Sequence, residues 1–401
     1  MIMKRTLGKA VSTCLKFAKK HKLAITIGTT VLVGIIAFLS RIPGQAAEAE
    51  HSLAQSAQSL GSIYDSPINA PYKLLVLIST LISSSILAVR SISLVVFFGV
   101  IVAVFYTLQH WHSKNAAILA TIAFGTNSVV LAVGRLGTPL VTVFGWFIFT
   151  AMLLWQVHGN SNKLVPSAVI LGVATLLYVP GAPWFFLIFL FFYWDRFKKA
   201  FLHVKKTGVL FGALIGLLII TPLLLGFVRD PSTIRDWLML SESIELSSVY
   251  RSILEVPSAF VYKLPRDALL NIGTLPVFDL ASGFLFLIGL NAYRKKISLD
   301  RTRLMIVMAL IAVLVGAFGQ TITAIVLLLP FAFSMIAAGI EFLLDEWNSV
   351  FPKNPFAQSF GVVVIAVVVL FGAYYQLTRF LVVWPQAPET HEVYDRGRII
   401  E

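Results

Sequence analysis

Residues 205–230 read KKTGVLFGALIGLLIITPLLLGFVRD, and this stretch is the clearest indication of the fold class. After two lysines, residues 208–227 carry no charge and are long enough to cross the hydrocarbon core of a bilayer as one helix. Similar apolar runs recur from Leu23 to Leu381, separated by short basic or polar joints. Helices are indicated, because a barrel would need short alternating strands with turns between them. The sequence predicts an all-α, polytopic membrane protein.

Composition supports this class. Of the 401 residues, 58% are hydrophobic and only 13% are charged, which is too apolar for a chain that stays in solution. The net charge of +13 does not indicate nucleic-acid binding, because the basic residues lie in the joints between apolar runs. Membrane lipids are the expected surroundings, and no nucleic-acid partner is expected.

The positions of lysine and arginine predict the topology. Residues 1–22 are basic and precede an apolar run, which indicates a retained signal anchor with a cytoplasmic N-terminus in the plasma membrane. The basic joints at 195–206 and 294–303 are also predicted to be cytoplasmic, so the polar insertion 228–279 between them is external. About eleven spans result, in a GT-C-like membrane domain at 23–381 with external loops 40–91 and 228–279 and an external tail at 382–401.

Two apolar segments need separate treatment in this topology. Residues 74–89 are short and serine-rich, and a crossing there would reverse the side of every later loop, so we predict a juxtamembrane or re-entrant helix. Residues 166–194 are interrupted at Pro180 and are predicted to form two short helices with an external turn. Uninterrupted spans are expected at 92–108, 116–133 and 138–157.

The first external loop is the richest source of chemistry. Helical spacing brings Glu48 and His51 onto one face. A carboxylate held at a membrane surface can act as a general base on a hydroxyl, because desolvation raises its pKa. The alternative is that these side chains are solvated polar groups. The candidate residues of this loop are Glu48, Glu50, His51, Asp65 and Tyr72.

Arg90 and Arg135 interrupt apolar sequence at predicted external helix ends. Ionised groups at such a depth need a partner, and a phosphate ester suits a guanidinium, which donates to two oxygens at once. Two such groups repel each other unless an anion or carboxylate lies between them. We therefore expect Glu48 or Glu50, Arg90 and Arg135 to share one external cavity, although snorkelling to lipid phosphate is an alternative for each arginine.

Common chemical motifs are absent from the sequence. It has no Walker loop, no dinucleotide glycine fingerprint and no His-Glu-x-x-His. His110 and His112 have no third ligand nearby in the sequence and lie in a predicted cytoplasmic joint, so no metal site is assigned to them.

The order of these features resembles the GT-C type membrane glycosyltransferases, on the protein mannosyltransferase and aminoarabinose transferase side of that superfamily. The likeness covers roughly residues 20–200 and rests on pattern. It is carried by Glu48-Ala-Glu50-His51, Pro71-Tyr72, Arg90-Ser-Ile-Ser93, Val133-Gly-Arg135 and the turn from Pro180 to Pro183.

The resemblance implies transfer of a sugar from a polyprenyl-phosphate-linked donor to a protein, lipid or glycan acceptor. It implies that Glu48 or Glu50 activates the acceptor, that Arg90 and Arg135 bind the donor phosphate, and that His51, Asp65 and Tyr72 contact substrate. No cofactor is identified, and a divalent metal is left open. Gly137-Thr138-Pro139 stands where relatives often carry an acid, so an inactive relative is one alternative. A lipid or sugar transporter or flippase is the other.

Overall fold

The structure is a computed structural model that describes residues 22–83, 85–145, 165–202, 206–241, 246–319 and 321–395. Within these ranges all regular secondary structure is helical, without strands. The basic leader with Cys14, most of the expected span at 138–157, and Lys163 lie outside the described residues.

The first half of the chain forms short helices and several long ones, of which α5 is the longest. Ser85 caps the long helix α5, since its hydroxyl accepts a hydrogen bond from the Leu87 N–H. The helices are α1 (Lys22–Ser40), α2 (Glu48–Ser56), α3 (Leu60–Asp65), α4 (Ala70–Ile82), α5 (Ile86–Trp111), α6 (Lys114–Thr126), α7 (Ser128–Arg135), a 3-10 helix (Pro139–Phe144), α8 (Val165–Leu176), α9 (Ala182–Leu202) and α10 (Lys206–Arg229).

The second half begins with the polar insertion and ends in a folded tail. Asp279 caps the first long helix after the insertion by accepting from the Ser282 N–H. The helices are α11 (Ser232–Leu238), α12 (Leu246–Ser258), α13 (Leu280–Lys295), α14 (Asp300–Phe318), α15 (Thr321–Val350), α16 (Pro355–Thr378), a π-helix (Arg379–Val383), α17 (Trp384–Gln386) and α18 (Pro388–Asp395).

The number of membrane spans differs from the expected eleven. Among the described residues, four helices are long and apolar enough to cross a bilayer, and a fifth span results if α6 and α7 are counted together. The expectation of about eleven spans is therefore not confirmed. The chain is a multi-pass helical membrane protein.

Helix α15 forms the centre of the bundle, and α10 lies at its periphery. Of an 18-residue apolar stretch in α15, 94% is buried, whereas only 22% of such a stretch in α10 is buried. The outer surface of α10 exposes leucines such as Leu214 and Leu218, which suit contact with lipid. At the centre, Gly289 of α13 and Gly339 of α15 cross, and a Cβ on either would lie about 2 Å or less from a backbone carbonyl oxygen of the other helix. These glycines allow the two backbones to approach closely.

The span expected at 116–133 is broken into two helices in the structure. Helices α6 and α7 meet at Asn127 with a bend of 63°. The Asn127 side chain causes the break, since its Oδ1 accepts from the N–H groups of Val129 and Val130 and so starts a new helix. Its Nδ2 donates to the carbonyl of Val277 at 2.8 Å, which anchors the break to the end of the insertion.

The segment 74–89, expected to be one juxtamembrane or re-entrant helix, is divided between helix α4 and the start of α5. Helix α4 ends at Ile82, and residues 86–89 belong to α5. Its 13 residues span about 20 Å. Near its start the Tyr72 hydroxyl contacts Ser93, and near its end Ser79 and Ile82 share a groove with Ser40. Both ends of α4 thus lie near the same end of the bundle.

We call that end the loop face, formed by residues 41–69, 230–241, 259–279 and 384–395. The C-terminal ends of α1, α7, α10 and α16 meet it. Joints 112–114 and 296–299 lie at the opposite end, where Ser113 contacts Glu341 of α15. The first loop and the insertion therefore share one side of the bundle.

Candidate active site

Glu50 is the centre of a buried ionic cluster at the loop face. It lies in the first turn of α2, and its side chain is fully buried. One carboxylate oxygen, Oε1, accepts from Arg90 Nε at 2.9 Å and from the Gly137 N–H at 2.8 Å. The other oxygen accepts from Arg90 Nη2 at 2.8 Å and from the Ala47 N–H at 3.0 Å. Two charged and two backbone donors thus surround the carboxylate.

Arg90, in the second turn of α5, is held as completely as its partner. Besides Glu50, it donates to the carbonyls of Ser40 at 3.0 Å and Gly44 at 3.1 Å, and to the carbonyl of Gln45. A guanidinium has five N–H groups, and each nitrogen of Arg90 is engaged. The end of α1, the start of α2 and α5 are tied together by this one side chain.

Gly137 completes the cluster from the α7 end. A Cβ there would lie 3.1 Å from Glu50 Oε1 and 3.2 Å from a methyl group of Val89. Glycine therefore lets the backbone N–H approach the carboxylate. An acid at this position would place a second negative charge beside Glu50.

Arg135, the last residue of α7, is buried but incompletely bonded. Its Nη1 donates to the Tyr394 hydroxyl at 2.7 Å, and its Nη2 lies 4.0 Å from Glu50 Oε1. Its guanidinium carbon lies 5.0 Å from the centre of the Tyr394 ring and 5.6 Å from that of Trp384. Among the described residues, Nε and Nη2 have no hydrogen-bond partner.

The electrostatics keep Glu50 ionised. Burial alone would raise the pKa of this carboxyl, but the charges of Arg135 and Arg90 and the hydrogen bonds outweigh it and hold the pKa below its usual value. A carboxylate has about four lone-pair sites, and here four donors occupy them. In this arrangement all four lone-pair sites of Glu50 are occupied.

A cavity of about 910 Å³, lined by both polar and apolar residues, adjoins the cluster. Three of its lining residues are chain neighbours of the cluster: Ala49 beside Glu50, Leu136 beside Arg135, and Thr138. The insertion contributes Asp236 and Asp267 to the lining. The cavity is large enough for a sugar with its phosphate.

An apolar groove of about 170 Å³ adjoins this cavity. Asn69 lines both spaces, in a left-handed backbone conformation with φ of 59°. The groove is bordered mainly by apolar side chains of α4, α5 and α8, including Tyr72, Leu75 and Leu176. A large cavity with a mixed polar and apolar lining and a hydrocarbon-compatible groove thus meet at one residue.

The structure does not bring every candidate of the first loop into the cluster. Glu48 is exposed, and His51 is partly buried on the same short helix. Asp65 is exposed, and its Oδ1 lies 3.6 Å from Nη1 of Arg229. Tyr72 is buried, and its hydroxyl is bonded to Ser93. Of these residues only Tyr72 borders either space, through the apolar groove.

Sequence reasoning missed three residues beside the cavity and cluster. Tyr394 and Trp384 belong to the segment expected to be an external tail, yet both are buried against Arg135. Asp267 is one of many charges of the insertion, and nothing in its sequence context distinguishes it. For Tyr394 and Trp384, the available sequence signal was the presence of two large aromatic residues in a short polar segment.

The polar groups at the opposite face form a separate network. His112 Nδ1 lies 2.9 Å from Glu341, and its Nε2 lies 3.2 Å from the Tyr293 hydroxyl. Among the described residues, no three histidine, cysteine, aspartate or glutamate side chains are grouped closely enough to hold a metal ion.

Comparison with known proteins identifies the architecture. The aminoarabinose transferase ArnT from Cupriavidus metallidurans in the apo state matches with a TM-score of 0.59 and 13% identity, over 93% of this chain and 78% of ArnT. The structure of the same enzyme bound to undecaprenyl phosphate matches equally well. This chain has the fold of a GT-C type glycosyltransferase. Within the GT-C fold, the described cluster and cavity lie at one end of the bundle. No family model and no curated protein matches the sequence.

Proposed function

We propose that this chain transfers a sugar from a polyprenyl-phosphate-linked donor to a protein, lipid or glycan acceptor at the loop face. The observation that carries the proposal is this cavity, which adjoins both a buried, incompletely bonded arginine and an apolar groove. The groove suits a prenyl chain, and the cavity suits a phosphate with its sugar. The ArnT structure with undecaprenyl phosphate supports this class of donor.

The topology follows from the same proposal. The loop face is the extracytoplasmic side of the plasma membrane, and the N-terminus is cytoplasmic. The basic joints at 195–206 and 294–303 support this orientation, because short basic loops remain in the cytoplasm.

Within this site we assign donor phosphate binding to Arg135. Among the described residues its Nε and Nη2 have no acceptor, whereas all nitrogens of Arg90 are engaged. Phosphate oxygens would satisfy the free N–H groups through charge-assisted hydrogen bonds. In this proposal Glu50 and Arg90 form the wall that positions Arg135, and Tyr72 borders the prenyl groove. Glu48, His51 and Asp65 are assigned to the approach of the acceptor over the loop face.

One observation favours a second function, a lipid or sugar transporter. The bend of 63° between α6 and α7 is a broken helix, and transporters often bind substrates at such breaks. An inactive GT-C-like protein would bind the donor without either activity. Binding and turnover therefore have to be measured separately.

The test uses the full chain in lipid nanodiscs, with decaprenyl phosphate and a panel of labelled decaprenyl-phosphate-linked pentoses and hexoses. We expect the wild type to bind decaprenyl phosphate, and Arg135→Gln to weaken binding roughly 10- to 100-fold, as for loss of a hydrogen bond to a charged group. Arg251→Gln is the matched control, since Arg251 is exposed on α12 and pairs, in the part of the chain that the structure describes, with Glu255. Equal affinity in wild type and Arg135→Gln would refute the phosphate assignment. Binding with flipping but without release or transfer of sugar would favour the transporter.

A further inference from the structure

We propose that Asp267 is the catalytic base of this site, the group that takes the proton from the acceptor hydroxyl. This inference rests on the proposed glycosyl transfer and adds a residue to it. Asp267 lies in the insertion and lines the cavity, far in sequence from the first loop.

The geometry of Asp267 leaves one oxygen free. Its Oδ1 accepts from the Leu269 N–H at 2.9 Å, and this bond fixes the orientation of the side chain. No described residue donates to Oδ2. The carboxylate therefore keeps an unoccupied acceptor in a cavity that holds substrate-sized volume, which is what a general base requires.

The turn that carries Asp267 is held rigidly. The N–H groups of Leu270 and Asn271 donate to the Asp267 carbonyl, and the Trp384 indole donates to the carbonyl of Ala268 at 3.0 Å. Trp384 is the same side chain that packs against the guanidinium of Arg135. The position of Asp267 is thereby coupled to that of the arginine through one aromatic ring.

Charges of both signs lie at or near the cavity lining. Arg135 lies behind the lining residue Leu136, and Asp236 and Asp267 line the cavity themselves. A donor phosphate is attracted to the arginine side and repelled by the two carboxylates. The donor phosphate is thus placed by Arg135, and the acceptor hydroxyl approaches from the aspartate side.

The transfer step then balances as follows. The acceptor oxygen forms a bond to the anomeric carbon of the sugar, and the bond between that carbon and the phosphate oxygen breaks. The electron pair of the broken bond leaves with the polyprenyl phosphate, whose charge Arg135 stabilises. The hydroxyl proton passes to Oδ2 of Asp267, which later releases it to water.

Burial prepares Asp267 for this role, because partial desolvation raises the pKa of its carboxyl above the ordinary aspartate value. A carboxylate with a raised pKa is a stronger base. Glu50 has the opposite environment, with a lowered pKa and four occupied lone-pair sites.

A capping role alone would also explain the bond to Leu269, so the experiment has to separate the two roles. Asp267→Asn keeps an oxygen that can accept the Leu269 N–H, and Asp267→Ser keeps a shorter capping group. Asp230 is a matched control, since it accepts from the N–H two residues ahead, Ser232, at the same 2.9 Å but does not line the cavity.

The measurement is release of labelled sugar to water and transfer to a membrane lipid extract, from the same decaprenyl-phosphate-linked sugars in nanodiscs. We expect Asp267→Asn and Asp267→Ser to bind decaprenyl phosphate within about twofold of wild type and to lose about 100-fold or more in kcat, the range for general base catalysis. Asp230→Asn keeps wild-type kcat. Thermal unfolding of each variant checks that the fold is intact.

The outcomes separate this inference from the proposed function. Wild-type kcat in a folded Asp267→Asn variant overturns the assignment of the base and leaves glycosyl transfer standing. If the wild type neither binds decaprenyl phosphate nor releases sugar, the proposed function fails and the inference fails with it. Equal loss of kcat in Asp230→Asn and Asp267→Asn reduces Asp267 to a capping residue.

Discussion

The buried cluster and the neighbouring cavity contain the same kinds of groups in opposite states. In the cluster, the carboxylate of Glu50 and the guanidinium of Arg90 engage each other and nearby backbone groups at every polar atom. At the cavity, Asp267 keeps a free oxygen, and Thr138 Oγ1 is buried without a hydrogen-bond partner among the described residues.

This difference separates groups that hold the structure from groups that are available to a ligand. A fully bonded buried ion pair specifies geometry, and removal of one member leaves an uncompensated charge. Unpaired polar groups beside a cavity cost stability and are retained where a ligand completes them. The sequence alone had assigned the chemistry to the glutamates of the first loop.

The largest expected effect is on the fold, from removal of Arg90. Arg90→Ala leaves the Glu50 carboxylate buried with two backbone donors and a distant Arg135, so we expect a loss of about 3–5 kcal/mol in the free energy of unfolding. Unfolding in detergent, followed by circular dichroism, measures it. The control Arg251→Ala should change stability by about 0.5 kcal/mol or less.

A double variant sharpens this result. Glu50→Leu combined with Arg90→Met removes both charges and should destabilise less than Arg90→Ala, because no ion remains unpaired. A loss below about 1 kcal/mol in Arg90→Ala would show that the cluster is not the structural element described above.

The pH dependence of stability should have opposite signs at the two acids. The folded-state pKa of Glu50 is lowered, so its contribution is present above the unfolded pKa and is lost as pH falls through the folded pKa. The folded-state pKa of Asp267 is raised by burial, so its ionisation lowers stability as pH rises through the unfolded and then the folded pKa.

Thermal unfolding between about pH 4 and pH 8 tests both signs. Glu50→Gln should lower the melting temperature most at neutral pH and reduce the acid sensitivity. Asp267→Asn should keep or raise the melting temperature at neutral pH and match wild type at acid pH. A fall at neutral pH in Asp267→Asn would show that its charge is paired.

The smallest expected effect is at Thr138. Its buried hydroxyl has no hydrogen-bond partner among the described residues, so the isosteric Thr138→Val should change the free energy of unfolding by about 1 kcal/mol or less, in either direction. The same unfolding measurement checks it. A loss above about 2 kcal/mol would reveal a bound water that bonds the hydroxyl.

Much of the architecture follows from sequence patterns, because lipid imposes helices. The side of the membrane at which each basic joint lies stays a prediction. The placement of a carboxylate with Arg90 and Arg135 also follows from elementary electrostatics, since two buried guanidinium groups repel each other. Which acid fills that position depends on the local backbone: Glu50 lies in the first turn of α2, where it also accepts the Ala47 N–H, whereas Glu48 faces solvent.

Other features depend on tertiary contacts without a local signal. The bond that anchors the Asn127 bend to the Val277 carbonyl, 150 residues away, is one of them. The entry of Asp267 into the cavity depends on a turn fixed by Trp384 from the tail. A single sequence does not reveal such long-range pairings.

The bend of 63° between α6 and α7 has a consequence for the burial of Arg135. Because a new helix starts at Ser128, the eight-residue α7 has its own macrodipole, whose negative C-terminal end lies at Arg135. A cation in the last turn of a helix is stabilised by about 0.3–1 kcal/mol, and by up to about 2 kcal/mol when it is partly buried. The break in the span therefore helps to keep a charged guanidinium in an apolar bundle.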